Sequence, residues 1–211
     1  MPLPRHLAAR RHLSRVDPTL GALIRRAGPC RLGHHLPRDP FQALLQSIVS
    51  QQLSVKAADT ILGRLEALFP KGRPDPARLL VFSDEELRGA GLSGQKLRYM
   101  RDLSARVLDG RLRLSRLHTL ADDEVRQALV EVKGIGRWTA EIFLMFTLGR
   151  PDILPADDLG LQNAAHRLYG LRRRPTPDRL LTLGEAWRPH RSVASWYLWR
   201  SLELPRASSR A

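Results

Sequence analysis

The residues that could do chemistry gather in one stretch, Leu129 to Gln162: LVEVKGIGRWTAEIFLMFTLGRPDILPADDLGLQ. It begins at the end of an amphipathic segment, turns through Gly134-Ile135-Gly136 and re-enters a helix at Arg137. Glycines at such a turn let the backbone come close to an outside group, because no Cβ stands in the way. Amides at the start of the following helix then point outward and offer an anion site. Further along, Pro155-Ala156-Asp157-Asp158 sets two carboxylates at the start of another helix. One of the pair is expected to cap that helix, and the residues by themselves leave open which one is left for chemistry. A phosphate grip followed at short range by a carboxylate suits an enzyme that works on DNA.

The charge balance agrees with such a partner. The 211 residues include 35 Lys and Arg against 21 Asp and Glu, a formal net charge of +14. A surplus of that size points to nucleic acid first and an anionic membrane surface second; a solvated basic face is the bland alternative. Cys30 is the single cysteine, which excludes an intramolecular disulfide framework and an iron–sulfur cluster held by four cysteines of this chain. No apolar run approaches the ~18 residues of a membrane span. His118, His166 and His190 lack metal-ligand spacing. The N-terminus carries Arg5, Arg10, Arg11 and Arg15 with no acid before Asp17, and reads as an unstructured basic arm rather than a transit peptide.

The elements that must position these residues read as helices throughout. Asp17-Pro18, Asp39-Pro40 and Asp75-Pro76 each place a capping aspartate before a proline at the first helical position. Phe41, Leu44, Leu45, Ile48 and Val49 fall on one helical stripe, and Ser54 caps the next run, so Gln51-Gln52-Leu53 forms a corner. Ser83 and Glu86 make a capping box, Gly94 to Leu108 is a long amphipathic helix, and Asp122 or Asp123 caps the helix leading into the glycine turn. After the aspartates come LQNAAHRLYG and two further helices, one on each side of Arg188-Pro189. No stretch alternates with period two and no internal repeat appears. The fold class expected is all-α.

VKGIGRWTA resembles the helix-hairpin-helix of the DNA glycosylase superfamily named for that hairpin and its Gly/Pro-rich loop and aspartate, and DILPADDLGLQ resembles that loop and aspartate. Trp138, Arg188-Pro189-His190-Arg191-Ser192 and Trp199 make the chain most similar to the alkylpurine branch, 3-methyladenine DNA glycosylase II. The resemblance runs from about Asp17 to Leu202. It implies two helical lobes with a DNA-binding cleft between them: residues 51–146 as the central lobe, residues 1–50 with 147–211 as the other. It also implies a short form, without the N-terminal β-rich domain of longer members.

The same resemblance assigns roles. Asp158 becomes the catalytic carboxylate, stabilising an oxocarbenium-like sugar as an N-glycosidic bond breaks, and Asp157 the helix cap. Trp138 stands where members with lyase activity carry a Schiff-base lysine, which implies a monofunctional hydrolase. Trp138 and Trp199 would stack on a flipped base, whereas Trp187 and Trp196 pack in the core. Ile142 stands where other members offer a third pocket aromatic, implying a wider or less electron-rich site. Amides of Gly134, Gly136 and Thr139 would hold a phosphate, and carbonyls of Val130, Val132 and Ile135 a structural Na+ or K+. Gln52 aligns with the wedge that fills the gap in the duplex, with Leu53 as the alternative, and Arg191 either faces DNA or caps a helix end.

The function expected is therefore excision of alkylated purines such as 3-methyladenine and 7-methylguanine from double-stranded DNA, in base excision repair. No cofactor beyond the hairpin cation, no membrane partner and a monomeric state are expected, in the bacterial cytoplasm and nucleoid or a eukaryotic nucleus. Two alternatives remain: the same fold acting on uracil, hypoxanthine or a mismatch, and a non-catalytic helix-hairpin-helix module. The carboxylate in the PADD loop together with Trp138 argues against the module, which needs neither.

Overall fold

The computed structural model describes residues 6–33 and 39–205, and among them every regular element is helical. The first helix is unexpected. Instead of a basic arm, Leu7–Val16 forms helix α1, which packs on α2 (Pro18–Ala27). Ala9 and Leu13, four residues apart and so on one face, are buried. The density of arginine on the remaining faces hides that stripe in the sequence. Asp17 begins α2 as expected, its Oδ1 accepting from the Leu20 amide at 2.8 Å. Its Oδ2 accepts from the Tyr169 hydroxyl at 2.7 Å and the Trp187 indole at 2.9 Å, so the cap is also a buried hub.

Contacts divide the chain into Leu36–Leu148 and a second unit made of Met1–His35 with Gly149–Ala211. The first boundary lies near residue 36, not at Gln51. The reason is α3 (Pro40–Ser50), whose expected stripe, Phe41, Leu44, Leu45, Ile48 and Val49, is almost wholly buried against other helices of the central unit. Burying each such side chain is worth roughly 1.5–3 kcal/mol relative to leaving it exposed.

The central unit continues with α4 (Val55–Ala67), α5 (Pro76–Val81), α6 (Asp84–Gly89), α7 (Gly94–Leu108), α8 (Asp122–Val130) and α9 (Arg137–Phe146). Helix α7 is its spine: Leu97, Met100 and Leu103 are buried, and α3, α5 and α6 pack on it. Helix α8 is not capped by Asp122 or Asp123. Its N-cap is Ala121, whose amide donates to Glu124 Oε2 at 2.7 Å, and the acids fill the first turn, where the helix dipole favours them.

The terminal unit adds α10 (Leu159–Leu168), α11 (Pro177–Gly184) and α12 (Arg191–Glu203) to α1 and α2. Helix α12 packs on α2 and α10. Trp187 is fully buried, as expected, but Trp196 is only half-buried. Among the described residues, no helix is long and apolar enough to cross a membrane.

Candidate functional site

In the central unit, α8 and α9 form a hairpin joined by residues 131–136. Gly134 sits at φ +82°, a left-handed conformation that glycine adopts without strain. A Cβ there would also lie 2.1 Å from the Tyr99 ring of α7, so the turn needs glycine twice over. Gly136 is the N-cap of α9 and has no side chain to offer, and no side-chain hydrogen bond caps that helix. The first-turn backbone of α9 thus presents the positive end of a helix beside a glycine turn, which is the arrangement expected of a phosphate grip.

The sequence left unnoticed what holds the two hairpin helices together. Glu141 of α9 is 3 % exposed, and its Oε1 lies 3.6 Å from Arg126 Nε of α8 and 3.2 Å from Arg137 Nε. The legible signal was the Arg137–Glu141 spacing of four residues, which places both side chains on one helix face. Asp102 of α7 braces the turn from below: its Oδ2 accepts from the Lys133 amide and from Arg106 Nε, each at 2.9 Å.

Trp138 is the second residue of α9 and stays 45 % exposed, a large apolar surface left in solvent. Ile142, one turn on, is half-buried, and Thr139 is turned into the core at 5 % exposure. Val132 and Ile135 are buried in the turn and Val130 is exposed at its edge. The Val132 carbonyl accepts from the Ile135 amide at 3.0 Å, leaving one lone pair for any cation. Gln52 and Leu53 are both exposed at the corner between α3 and α4. Gln52 is at φ +58°, a conformation costing a non-glycine residue about 1–2 kcal/mol. Its neighbour Gln51 donates from Nε2 to the Gly134 carbonyl at 2.7 Å.

The carboxylates lie in the terminal unit, and there the capping assignment reverses. Asp158, not Asp157, is the N-cap of α10: its Oδ1 accepts from the Leu161 amide at 2.7 Å. Asp157 is exposed in the preceding turn. The same Asp158 oxygen accepts from the Trp199 indole N–H of α12 at 2.9 Å. Gly160 makes room for this pair, since a Cβ there would stand 2.9 Å from Asp158 Oδ1 and 3.4 Å from the indole. Trp199 therefore orients the carboxylate, a role beyond the base stacking expected of it.

The loop that delivers Asp158 is held from several sides. Arg191 does not cap a helix end; its guanidinium donates from Nε to Asp152 Oδ1 at 2.8 Å, and from Nη2 to Asp152 Oδ2 at 3.0 Å and the Asp152 carbonyl at 2.9 Å. Ser192 Oγ donates to the Arg150 carbonyl at 2.6 Å and accepts from the Ile153 amide at 2.9 Å. Gln162 Nε2 donates to the Ala156 carbonyl at 2.8 Å. Among the described residues no group of His, Cys, Asp and Glu could hold a metal ion.

The profile of the HhH-GPD superfamily of base excision DNA repair proteins matches residues 45–189. The alkylbase DNA glycosidase-like protein mag2 of Schizosaccharomyces pombe is 31 % identical over 201 residues, spanning 94 % of each chain. DNA-3-methyladenine glycosylase 1 of the same yeast is 32 % identical over 92 % of this chain and 86 % of its own. Among solved structures, the S. pombe 3-methyladenine DNA glycosylase in complex with abasic DNA gives a TM-score of 0.85 at 32 % identity, covering 93 % of this chain and 97 % of that one. A DNA-3-methyladenine glycosidase from Bacillus halodurans gives 0.83 at 41 % identity, covering 92 % and 88 %.

Proposed function

From a chain that belongs to the HhH-GPD superfamily of base excision DNA repair proteins, we propose a monofunctional DNA glycosylase that releases alkylated purines from double-stranded DNA. The observation that carries this reading is the oriented carboxylate: Asp158 at the N-terminus of α10, with the Trp199 N–H on its Oδ1. A hairpin module that only binds DNA needs no such group.

In the proposed reaction the α9 end of the hairpin grips the backbone phosphate and the nucleotide leaves the base stack. Gln52, or Leu53 beside it, fills the gap. Trp138 and Trp199 offer aromatic faces to the extruded base. The bond between the sugar C1′ and the purine nitrogen breaks heterolytically, its electron pair leaving with the base. Asp158 stabilises the cationic sugar and orients the water whose oxygen bonds to C1′ and whose proton is released. A purine alkylated at N3 or N7 is already cationic and departs neutral, so no general acid is required. Trp138 has no amine, so the sugar forms no Schiff base with it and the strand stays intact. A monovalent cation at the hairpin would be held by carbonyls of Val130, Val132 and Ile135 and would fix the turn's charge, while the chemistry stays with the residues above. The protein would work as a monomer wherever the chromosome lies, in the cytoplasm and nucleoid or the nucleus.

The test is a panel of duplexes, each with one lesion, with abasic sites developed by alkali. 3-Methyladenine and 7-methylguanine should leave readily and hypoxanthine more slowly, since cation–π attraction of about 1–2 kcal/mol biases the site toward charged rings without excluding neutral ones. No strand should break before alkali, and borohydride should trap no protein–DNA adduct. Faster release of hypoxanthine or uracil than of 7-methylguanine would refute the cationic-leaving-group account.

A further inference from the structure

Gln51 occupies a place that the proposed reaction does not use, between the two loops that it does. It is the C-cap of α3, immediately before Gln52, and its side chain reaches across to the glycine turn, where Nε2 donates to the Gly134 carbonyl at 2.7 Å. Both ends of this bond are otherwise anchored on α7. Lys96 Nζ donates to the Val49 carbonyl at 2.6 Å near the end of α3. The Tyr99 ring fills the space beside Gly134, and the Tyr99 hydroxyl accepts from Gln95 Nε2 at 2.6 Å. Asp102 takes the Lys133 amide. One helix thus supports the corner and the turn from beneath, and Gln51 bridges them directly.

We propose that Gln51 is a positioning residue that couples the duplex wedge to the phosphate grip, setting the distance between the corner at Gln52 and the turn at Gly134. The inference rests on the glycosylase reading and deepens it. A phosphate held at the hairpin fixes where the strand lies, and the wedge must then enter the stack at a defined offset from that phosphate. Two loops on flexible connections would meet this offset only part of the time. A donor from one backbone corner to a carbonyl of the other turn makes the offset a property of the fold. The strained φ of Gln52 fits this account, because a left-handed residue aims the corner outward only while its neighbours hold it there.

The bond matters only when a base pair must be opened, and that makes the test specific. Gln51→Leu would be compared with the unaltered protein in single turnover on two duplexes. In one, 7-methylguanine is paired with cytosine; in the other, it faces an abasic-site analogue, where no pair has to be broken. The expected result is a loss of about 10-fold or more on the paired lesion and within about 3-fold on the unpaired one, given that misplacement of ~1 Å can cost ~100-fold in rate. Affinity for undamaged duplex, which reads the hairpin grip, should hold within about 3-fold, and the melting temperature should fall by no more than a few degrees, the worth of one hydrogen bond of about 1 kcal/mol. Gln51→Met, similar in length and uncharged but without the donor, repeats the comparison if the leucine variant folds poorly. An equal loss on both duplexes, or none on either, overturns the coupling. Failure of the unaltered protein to release the base from either duplex overturns the glycosylase reading itself.

Discussion

At the scale of single residues, the decisive finding is that Asp158 caps α10 and accepts from Trp199 with the same oxygen. A cap is usually taken as structural, yet here it also aims the carboxylate. Asp158→Asn keeps a good capping group and removes the charge, so folding should be near normal while excision is lost, as single-turnover assays with lesion duplex would show. Asp157→Asn, in an exposed turn, should leave both stability and activity close to wild type, within about 0.5 kcal/mol. If Asp157→Asn were the inactive variant, the assignment would be reversed. Trp199→Phe keeps an aromatic face and removes the N–H. A hydrogen bond to a charged group is worth about 1.5–3 kcal/mol, so this variant should excise roughly 10-fold more slowly or worse while still binding abasic product. Unchanged excision would mean that Trp199 only packs.

At the scale of elements, α8 and α9 of the hairpin are linked by the ion pair of Arg126 with the buried Glu141. Glu141 is almost inaccessible, whereas Arg126 and especially Arg137 remain partly in solvent, so screening reduces what the pair contributes. Removing the carboxylate leaves the partly buried Arg126 with the exposed Asp123 in place of a buried partner, and Glu141→Ala should lower stability by about 1–3 kcal/mol. The loss should appear in denaturant melts and, on the proposed reading of the hairpin as the phosphate grip, in weaker binding to undamaged DNA. A variant as stable as wild type would show the pair to be incidental. The loop ahead of Asp158 is held by comparable means, through Arg191 with Asp152 and through Ser192 and Gln162. The RPHRS segment, legible as a motif, thereby serves as an anchor for that loop.

At the scale of the molecule, the surplus of positive charge should be read out by salt. A footprint neutralising about five phosphates gives a log–log slope of binding against salt near −4 to −5, from roughly −0.9 per phosphate. Titrations on lesion duplex across ionic strength would measure it, and a flat slope would mean that the basic surface is not the DNA face. Much of the arginine elsewhere is tied to acids, as in Arg101 with Asp84 and Arg106 with Asp102. In α1 and α2 the case differs: Arg11, Arg15, Arg25 and Arg26 are exposed, and Asp17, the one acid among residues 7–27, is turned inward. Those arginines are the first place to look for the phosphate contacts that such a slope counts.

What the sequence determined by itself was whatever depends on neighbours along the chain. The Asp-Pro starts at Asp17, Asp39 and Asp75, the Ser83–Glu86 box, the apolar stripe of α3 and the glycine turn are local rules, and each appears where its residues require it. The family was legible because it resides in short motifs, and the all-helical class because caps and apolar stripes recur along the chain. Local reasoning failed where another segment decides. Helix α1 forms because Ala9 and Leu13 find α2; α3 joins the central unit because helices later in the chain receive its stripe. Asp158, not Asp157, is the cap, and Trp199, 41 residues on, donates to the same oxygen. The Gln51–Gly134 bond spans 83 residues. A side-chain hydrogen bond leaves no period in a sequence, and only folding brings its two ends within reach.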